Sequence, residues 1–307
     1  NRDYAFYLKG GVEMYGSFAG TETSITQRDP ANITILSGDI GTADDDTDNS
    51  YHVIISINET ATGVLDGFTI SNGNANGSGN LTVNTKSINK AIGGGMYNQA
   101  SSPIMINCTF SNNTGNNGCG MFNAYSTISL INCTFVENYS SSNNNGGAMY
   151  NSSATPSISN CTFVNNTADK GSSSYATGGT STQHTHGIFW DGNNSSIQTI
   201  SSSVTTLVSY CLVRGGYTGT GNFNSDPKFV SSSDFRLSSS SPARDKGAPT
   251  VDPKDLPSQD LAGRNRLTFS KLDLGAYEYQ CEVQGVEVNI NTCDEYISNG
   301  GKTYTSS

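Results

Sequence analysis

The sequence predicts an all-β fold, a right-handed parallel β-helix (a solenoid) with about 23 to 28 residues per coil. The first observation is compositional: the 307 residues include 34 glycines, and helix formers are sparse beside residues that favour turns and exposed strand faces. The second is a phrase that recurs three times at a nearly fixed interval. The third is an alternation of apolar and polar residues within it. Together they indicate short strands that stack coil upon coil.

The recurring phrase reads GGGMYNQASSPIMINCTFSNN, GCGMFNAYSTISLINCTFVEN and GGAMYNSSATPSISNCTFVNN in its three copies. Its methionines, Met96, Met121 and Met149, are 25 and 28 residues apart, and its cysteines repeat both intervals. A period of this size is typical of a solenoid in which each copy makes one coil.

Alternation inside the phrase predicts a strand with one buried face. In PIMINCTF the predicted buried residues are Ile104, Ile106, Cys108 and Phe110. Met105, Asn107 and Thr109 are then expected to face outward, where Asn and Thr keep the strand surface hydrated. Gly and Asn at the corners accept the backbone angles of tight bends.

Matching side chains of successive coils are expected to stack about 4.8 Å apart. Weaker copies extend the cysteine column: GFTISNG, GIFWDGN and SYCLVRGG place Phe68, Ile188 and Cys211 in the cysteine position. GIFWDGN thereby places Trp190 in the phenylalanine position. The predicted structural column comprises Phe68, Cys108, Cys133, Cys161, Ile188 and Cys211. A polar insertion, residues 73–90, accounts for the longer interval after Phe68.

Charge excludes some partners. The formal net charge of −10 argues against nucleic acid, because no basic stripe exists to release counterions. No apolar run approaches the length needed to span a bilayer. The N-terminus, NRDYAFYLKGG, lacks the layout of a signal peptide, so we expect this chain to begin after any export signal and N-terminal coils to be missing or truncated.

The sequence resembles a family of bacterial surface proteins. The pairing of Gly-Gly-Ala-Met with Phe-x-x-Asn looks like the repeat of polymorphic outer-membrane adhesins. MYGSFAGTETSITQRDPANITILSGDIG, SYCLVRGGYTGTGNFNSDPKFV and DFRLSSSSPARDKGAP…DLGAYEY are similar to exported multidomain β-helix proteins with varied cell-surface anchors. The resemblance covers about residues 4–279. It implies secretion or surface display in a Gram-negative bacterium, export by the type IX pathway, and export and anchoring machinery as partners.

Two parts of the chain are distinguished. We expect a β-helix over residues 1–280 and, over residues 281–307, the start of a following small repeat module or linker. NTCDEYISNGGKTYTSS looks like the first of the short repeats that follow such β-helices in large surface proteins. Cys281 and Cys293 lie outside the predicted helix, and whether they form a disulfide is left open.

The stretch DIGTADDDTDNSYH is the one candidate cofactor site, for Ca²⁺. Its hard oxygen ligands are Asp44, Asp45, Asp46, Asp48 and Asn49. The spacing departs from the EF-hand loop, lacking its Gly at the sixth position and its Glu at the twelfth. A solvated acidic loop is the alternative.

The stretch QHTHGIFWDG holds further candidate binding residues. His184 and His186 are two apart, which on a strand would place both imidazoles on one face, and Trp190 follows closely. A metal or sugar platform is one interpretation. An exposed pair without function is the other, since no third ligand is evident.

Polar rows of Asn, Ser and Thr, interrupted by Tyr97, Tyr125 and Tyr150, suit weak repeated contacts with neutral glycans. We therefore expect an adhesin or stalk module that makes multivalent contact with glycans or with a host or neighbouring cell surface.

A polysaccharide lyase or glycoside hydrolase of the pectate-lyase-like class is the first alternative, and a purely structural spacer is the second. Hydrolysis requires paired carboxylates in one cleft, and lysis requires a Lys or Arg base. Between residues 91 and 225 the charged residues are Glu137, Asp169, Lys170, Asp191 and Arg214. They fall at different phases of the repeat, so the sequence favours a non-enzymatic role.

Overall fold

The computed structural model describes residues 1–140, 143–192, 196–199, 204–250, 256–267 and 271–280, together with the backbone of strands Glu295–Ile297 and Thr303–Thr305, which pair antiparallel. Three parallel sheets of seven strands form the body of the molecule. The chain visits sheets A, B and C in turn and pairs each strand with its counterpart one coil away. This arrangement confirms the predicted parallel β-helix.

Sheet A contains Phe6–Tyr7, Ile54–Ile57, Met96–Gln99, Met121–Ala124, Met149–Ser152, Ser174–Thr177 and Ile197–Thr199. Sheet B contains Glu13–Tyr15, Val64–Asp66, Ile104–Ile106, Ser129–Ile131, Ser157–Ser159, Ser181–Thr185 and Thr205–Ser209. Sheet C contains Thr34–Ser37, Phe68–Ser71, Thr109–Ser111, Thr134–Val136, Thr162–Val164, Ile188–Trp190 and Leu212–Val213. The smaller elements are the strands Asn74–Ala75, Thr114–Gly115 and Tyr139–Ser140, the hairpin Asn80–Val83 with Lys86–Asn89, and the 3₁₀ helix Ile25–Gln27.

Like residues lie over like residues inside the helix. Four phenylalanine rings stack in one column with centroid separations of 4.7, 4.8 and 4.9 Å: Phe110, Phe135, Phe163 and Phe189. The repeat cysteines form a parallel column of free, fully buried thiols. The backbone N–H of Cys133 lies 3.4 Å from Sγ of Cys161, and burial raises the pKa of Cys108 and Cys133. These cysteines therefore serve as small apolar core residues.

One member of the predicted column is wrong. Phe189, and not Trp190, pairs with Phe163, so Ile188 pairs with Thr162 and its neighbour Gly187 takes the cysteine position. The Gly187 N–H lies 3.3 Å from Sγ of Cys211. A Cβ at position 187 would come within 2.6 Å of the Phe189 ring. Ring stacking sets this register, because it keeps the phenylalanine column unbroken.

The predicted alternation across PIMINCTF is also wrong at its first half. Met105 is fully buried and pairs with Leu65 and Leu130, whereas Ile104 and Ile106 are only partly buried. The cause is Asn107, whose φ of 51° bends the chain between sheets B and C. The bend resets the alternation, so Cys108 and Phe110 point inward as Met105 does.

Asparagines expected on the outside form a buried ladder instead. The Nδ2 of Asn113 donates to Oδ1 of Asn138 at 3.0 Å, and Asn138 donates likewise to Asn166 at 2.8 Å. Each amide also donates to a carbonyl of the preceding coil, as Asn138 does to Phe110 at 2.9 Å. The ladder ends at the carboxylate of Asp191, which accepts from Asn166 at 3.0 Å. Adjacent coils thus satisfy the buried amides of this ladder.

A second buried ladder is formed by residues of the sheet A strands themselves. Asn98 donates to Asn123 at 3.1 Å, Asn123 donates to Asn151 at 3.0 Å, and Asn151 donates to the hydroxyl of Ser174 at 3.3 Å. All four side chains are buried. The Asn of the Met-Tyr-Asn motif is therefore a core residue.

The polar insertion forms a hairpin that covers part of sheet A. Val83 and Ile88 of the hairpin pack with Ile55, Ile57 and Tyr97 in an apolar cluster outside the main core. This contact explains how Tyr97, an outward-facing tyrosine of the first repeat copy, comes to be buried.

A segment without strands covers the outer face of sheet C. Past Val213, the described residues up to 280 contain only isolated bridges. Leu237, Ala243 and Leu274 pack there against Ile188 and Leu212. No helix within the described ranges is long and apolar enough to cross a membrane.

Replacing Asn138 with Ala should lower the free energy of unfolding by about 3 kcal/mol or more, because the N–H groups of Asn113 and the carbonyl of Phe110 lose buried partners. Chemical denaturation measures this loss. Asn80→Ala, on the exposed edge of the hairpin, is the matched control and should change stability by about 0.5 kcal/mol or less. Equal effects of the two substitutions would contradict a structural ladder.

Candidate functional site

A groove of about 700 Å³ lies over the bend between sheets B and C. Three parts of the chain that are far apart in sequence line it: the loop from Ser17 to Thr34, the strand ends around Asp66 and Asn107, and residues 258–261 with Tyr277. We call it the outer-face groove.

Local hydrogen bonds fix the loop that forms one wall. Ser24 caps the 3₁₀ helix Ile25–Gln27, and the side chain of Gln27 returns the contact to the Ser24 N–H at 3.1 Å. The Ser17 N–H donates to Oγ1 of Thr34 at 2.9 Å, which ties the start of the loop to its end. Hydrogen bonds within the loop itself therefore hold this wall of the groove in shape.

An ion pair neutralises the floor of the groove. Nη2 of Arg28 lies 2.7 Å from Oδ2 of Asp66, and Nδ2 of Asn107 donates to the other carboxylate oxygen at 3.0 Å. The Arg28 guanidinium also lies 5.1 Å from the centroid of the Tyr15 ring. Sequence reasoning missed this cluster, since Asp66 lies 38 residues after Arg28 and 41 residues before Asn107. Only the coil register brings them together.

The second carboxylate of the groove, that of Asp260, is also engaged in hydrogen bonds within the protein. Oδ1 of Asp260 accepts from the backbone N–H groups of Ala262 at 2.9 Å and Arg264 at 2.7 Å, and Oδ2 accepts from that of Glu278 at 2.7 Å. Asp260 is 2% exposed. Both carboxylates are therefore engaged within the protein, and neither Asp66 nor Asp260 is positioned as a general acid or base.

The remaining lining is mainly hydroxylic and aromatic. It includes Thr34, Thr69, Thr109, Tyr15 and Tyr277. Burial raises the pKa of Tyr277 to about 12, so its phenol stays neutral across the physiological range. The groove consequently offers hydroxyl groups and two tyrosine rings, with Asp66 paired to Arg28 and Asp260 engaged by backbone N–H groups.

Arg266 holds the far wall in place. Its guanidinium is 1% exposed and donates at 3.1 Å to Glu278, to the carbonyl of Gly275 and to that of Ala276. It also donates to Oδ1 of Asn132, a bend residue of the repeat. The C-terminal segment is thereby fastened to the coils beside the groove.

The predicted tyrosines lie elsewhere and are not all together. Tyr97 and Tyr150 belong to a row on the outer face of sheet A with Phe122 and Tyr175, at ring separations of 5.1, 5.7 and 5.3 Å. Tyr97 is covered by the hairpin, while Tyr150 is half-buried. Tyr125 is outside the row, in a turn with φ of 52°, and is 66% exposed. The expected common tyrosine platform is therefore only partly formed.

The two histidines do not share a face. His184 is fully buried in the interior column between Ile158 and Val208, whereas His186 is only partly buried and bends the chain with φ of 54°. The strand ends at Thr185, so the spacing of two no longer places both rings together. His184 contacts the ring of Phe189 at 5.2 Å, and neither of its ring nitrogens has a partner within the described residues. The prediction that both imidazoles lie on one face is therefore wrong.

The acidic loop uses its carboxylates to order its own backbone. Asp45 accepts from the N–H and the hydroxyl of Thr47 at 2.9 and 2.6 Å, and Asp48 accepts from the Thr42 N–H at 2.9 Å. No group of three or more His, Cys, Asp or Glu that could hold a metal ion occurs among the described residues. The calcium site stays a prediction without support from this geometry.

Trp190 lines a second concavity, with the Arg214 guanidinium 5.3 Å from its ring centroid. It faces outward, as its pairing with Val164 requires. Cys281 and Cys293 lie outside the described residues, so their pairing stays open.

Comparison with known proteins yields no assignment. No model of a known protein family matches the chain, and no curated protein matches it either. The functional interpretation therefore depends on the geometry and on the repeat itself.

His184→Leu should leave stability at pH 7 unchanged or higher, because it removes an unpartnered polar ring from an apolar column. Burial lowers the pKa of His184 to about 3, from about 6.5 in the unfolded chain. Between these values the unfolded state binds the extra proton, so the wild type loses stability as pH falls. The advantage of the variant should grow by about 2 kcal/mol from pH 7 to pH 5 in denaturant titrations. A constant difference would contradict this.

Arg266→Met should release the C-terminal segment and lower the free energy of unfolding by about 3–5 kcal/mol, because the buried carboxylate of Glu278 loses its ion pair. Hydrogen exchange should accelerate selectively at residues 256–280. Lys271→Met, an exposed cation in the same segment, is the control and should change neither quantity appreciably. Unaltered exchange in Arg266→Met would show that other contacts hold the segment.

Proposed function

We propose that the chain is a display module of a secreted or cell-surface protein that makes multivalent contact with neutral glycans through the outer-face groove. One observation carries the proposal: Arg28 neutralises Asp66, backbone N–H groups hold Asp260, and hydroxyl groups lie beside the rings of Tyr15 and Tyr277. A neutral sugar binds through hydroxyl contacts and through packing of its ring on an apolar aromatic face.

The fold suits display. A stack of similar coils is a rigid, elongated support, and modules that each bind weakly gain avidity when several engage one surface. The resemblance to polymorphic outer-membrane adhesins and anchor-bearing β-helix proteins supports surface location in a Gram-negative bacterium. Export by the type IX pathway, anchoring machinery and a host or neighbouring cell as target belong to the same proposal and rest on that resemblance alone.

The groove offers little support for the enzymatic alternative, because its charged groups are engaged with one another or with the backbone. A glycoside hydrolase needs one carboxyl group that can donate a proton and another that can act as base or nucleophile. Asp66 is engaged by Arg28 and Asn107, and Asp260 by three backbone N–H groups. A lyase would need a cation free to act as base, and Arg28 is engaged with Asp66.

A glycan array followed by calorimetric titration of the best neutral oligosaccharide tests the proposal. Tyr15→Ala should weaken binding about tenfold or more through loss of the aromatic contact. Tyr125→Ala removes an exposed tyrosine outside the groove and should leave the affinity unchanged. Thermal unfolding of both variants shows whether each is folded.

Three results would count against the proposal. No binding on the array supports the spacer, and equal loss in both tyrosine variants places the site elsewhere. Release of reducing ends or unsaturated uronates from polysaccharides by the wild type supports the enzyme.

A further inference from the structure

A second concavity, of about 790 Å³, lies where the stacked coils end. Trp190, Arg214, Tyr217, Asn224, Gly192 and Ser196 are among its lining residues. We call it the Trp190 cleft. None of these residues takes part in the outer-face groove, so the two sites can be tested separately.

Arg214 is the charged residue of the cleft and is held in a defined pose. Its Nη1 donates to the backbone carbonyl of Asp191 at 3.0 Å, and its guanidinium lies over the Trp190 ring. The side chain is nonetheless exposed, and no carboxylate lies within ion-pair distance of it in the described ranges. It is therefore a positioned cation with donors still available.

The buried carboxylate of Asp191 takes its hydrogen bonds from groups other than Arg214. Asp191 is fully buried at the end of the asparagine ladder, where it accepts from the N–H of Asn166 at 2.8 Å, from its Nδ2 at 3.0 Å and from the hydroxyl of Ser173. Only its backbone carbonyl bonds Arg214. Neutral donors thus satisfy the hydrogen bonding of the Asp191 carboxylate, which attracts the Arg214 guanidinium without forming an ion pair in contact with it.

The cleft is open because glycines line it. Among the described residues, apart from its chain neighbours, Gly192 has no atom within 4 Å of the position a Cβ would take, and its φ lies outside the region that requires glycine. Within that part of the chain, neither packing nor backbone strain accounts for a glycine there. Gly215 and Gly216 form the opposite rim with φ of 82° each, and the Gly215 N–H donates to Oδ1 of Asn224 at 3.3 Å, which leaves the Asn224 amide as a donor toward the cleft.

We propose that the Trp190 cleft binds a carboxylate-bearing sugar such as a uronic acid. The planar guanidinium can receive a carboxylate through two parallel hydrogen bonds, the Trp190 ring offers an apolar face for the sugar ring, and Asn224 and Tyr217 can bond hydroxyls. The net charge of −10 opposes long polyanions but acts weakly beyond a Debye length of about 8 Å. A single acidic sugar is thus the matching ligand.

The experiment uses the one tryptophan of the chain, Trp190, as its reporter. Tryptophan fluorescence of the whole chain is titrated with D-glucuronic acid and, separately, with D-glucose, which has the same ring without the carboxylate. We expect saturable change with glucuronic acid, at least about tenfold tighter than with glucose, and weakening by added salt. No saturable change, or equal response to both sugars, overturns the proposal.

Two variants separate recognition from structure. Arg214→Gln keeps a polar planar group but removes the charge. Gly192→Leu fills the cleft and leaves Arg214 in the sequence. Each variant should lower the affinity for D-glucuronic acid about tenfold or more. Thermal unfolding midpoints establish that both are folded. Tyr15→Ala, in the outer-face groove, should have no effect. Retention of wild-type affinity in both cleft variants overturns the proposal, whatever the groove is found to bind.

Discussion

The rest of the structure is organised by hydrogen bonds through which buried amides in a narrow interior find partners in the coils above and below. Asn113, Asn138 and Asn166 do so by donating both to the next side chain and to a carbonyl of the preceding coil. Each bond requires its partner at the same place one coil on, so the ladder enforces register as strongly as apolar packing does. The phenylalanine stack and the cysteine column follow the same register.

Sequence periodicity predicted the coil, its length and most of its interior columns, because a repeated side chain in a solenoid has a repeated environment. It failed where local geometry intervenes. The bend at Asn107 reverses the expected faces of Met105 and its neighbours, and the ring of Phe189 sets a register that Ile188 alone did not indicate. The Phe-x-x-Asn motif was visible as a family signature, but its role as a buried ladder depends on hydrogen bonds between coils, which spacing alone does not specify.

The candidate sites could be predicted least. The outer-face groove unites Arg28, Asp66 and residues near Asp260, and no local pattern relates a loop before the repeats to a segment after them. Trp190, a predicted binding residue, lines a concavity, whereas its partner Arg214 gained meaning only from its position over the ring. Both sites lie where the repeat is interrupted. Regular coils thus supply the support, and the non-repeating segments supply the concave surfaces on which ligands can bind.

The central claim is that successive coils are coupled through the buried amides, and a double-mutant cycle between Asn113 and Asn138 tests it most directly. Unfolding free energies are measured for Asn113→Ala, Asn138→Ala and the double variant. If the amides couple adjacent coils, we expect a coupling energy of about 1 kcal/mol or more, since either single substitution already breaks the 3.0 Å bond between the two amides. Losses that add to within about 0.5 kcal/mol would contradict it, because they would show that the ladder does not hold neighbouring coils in register.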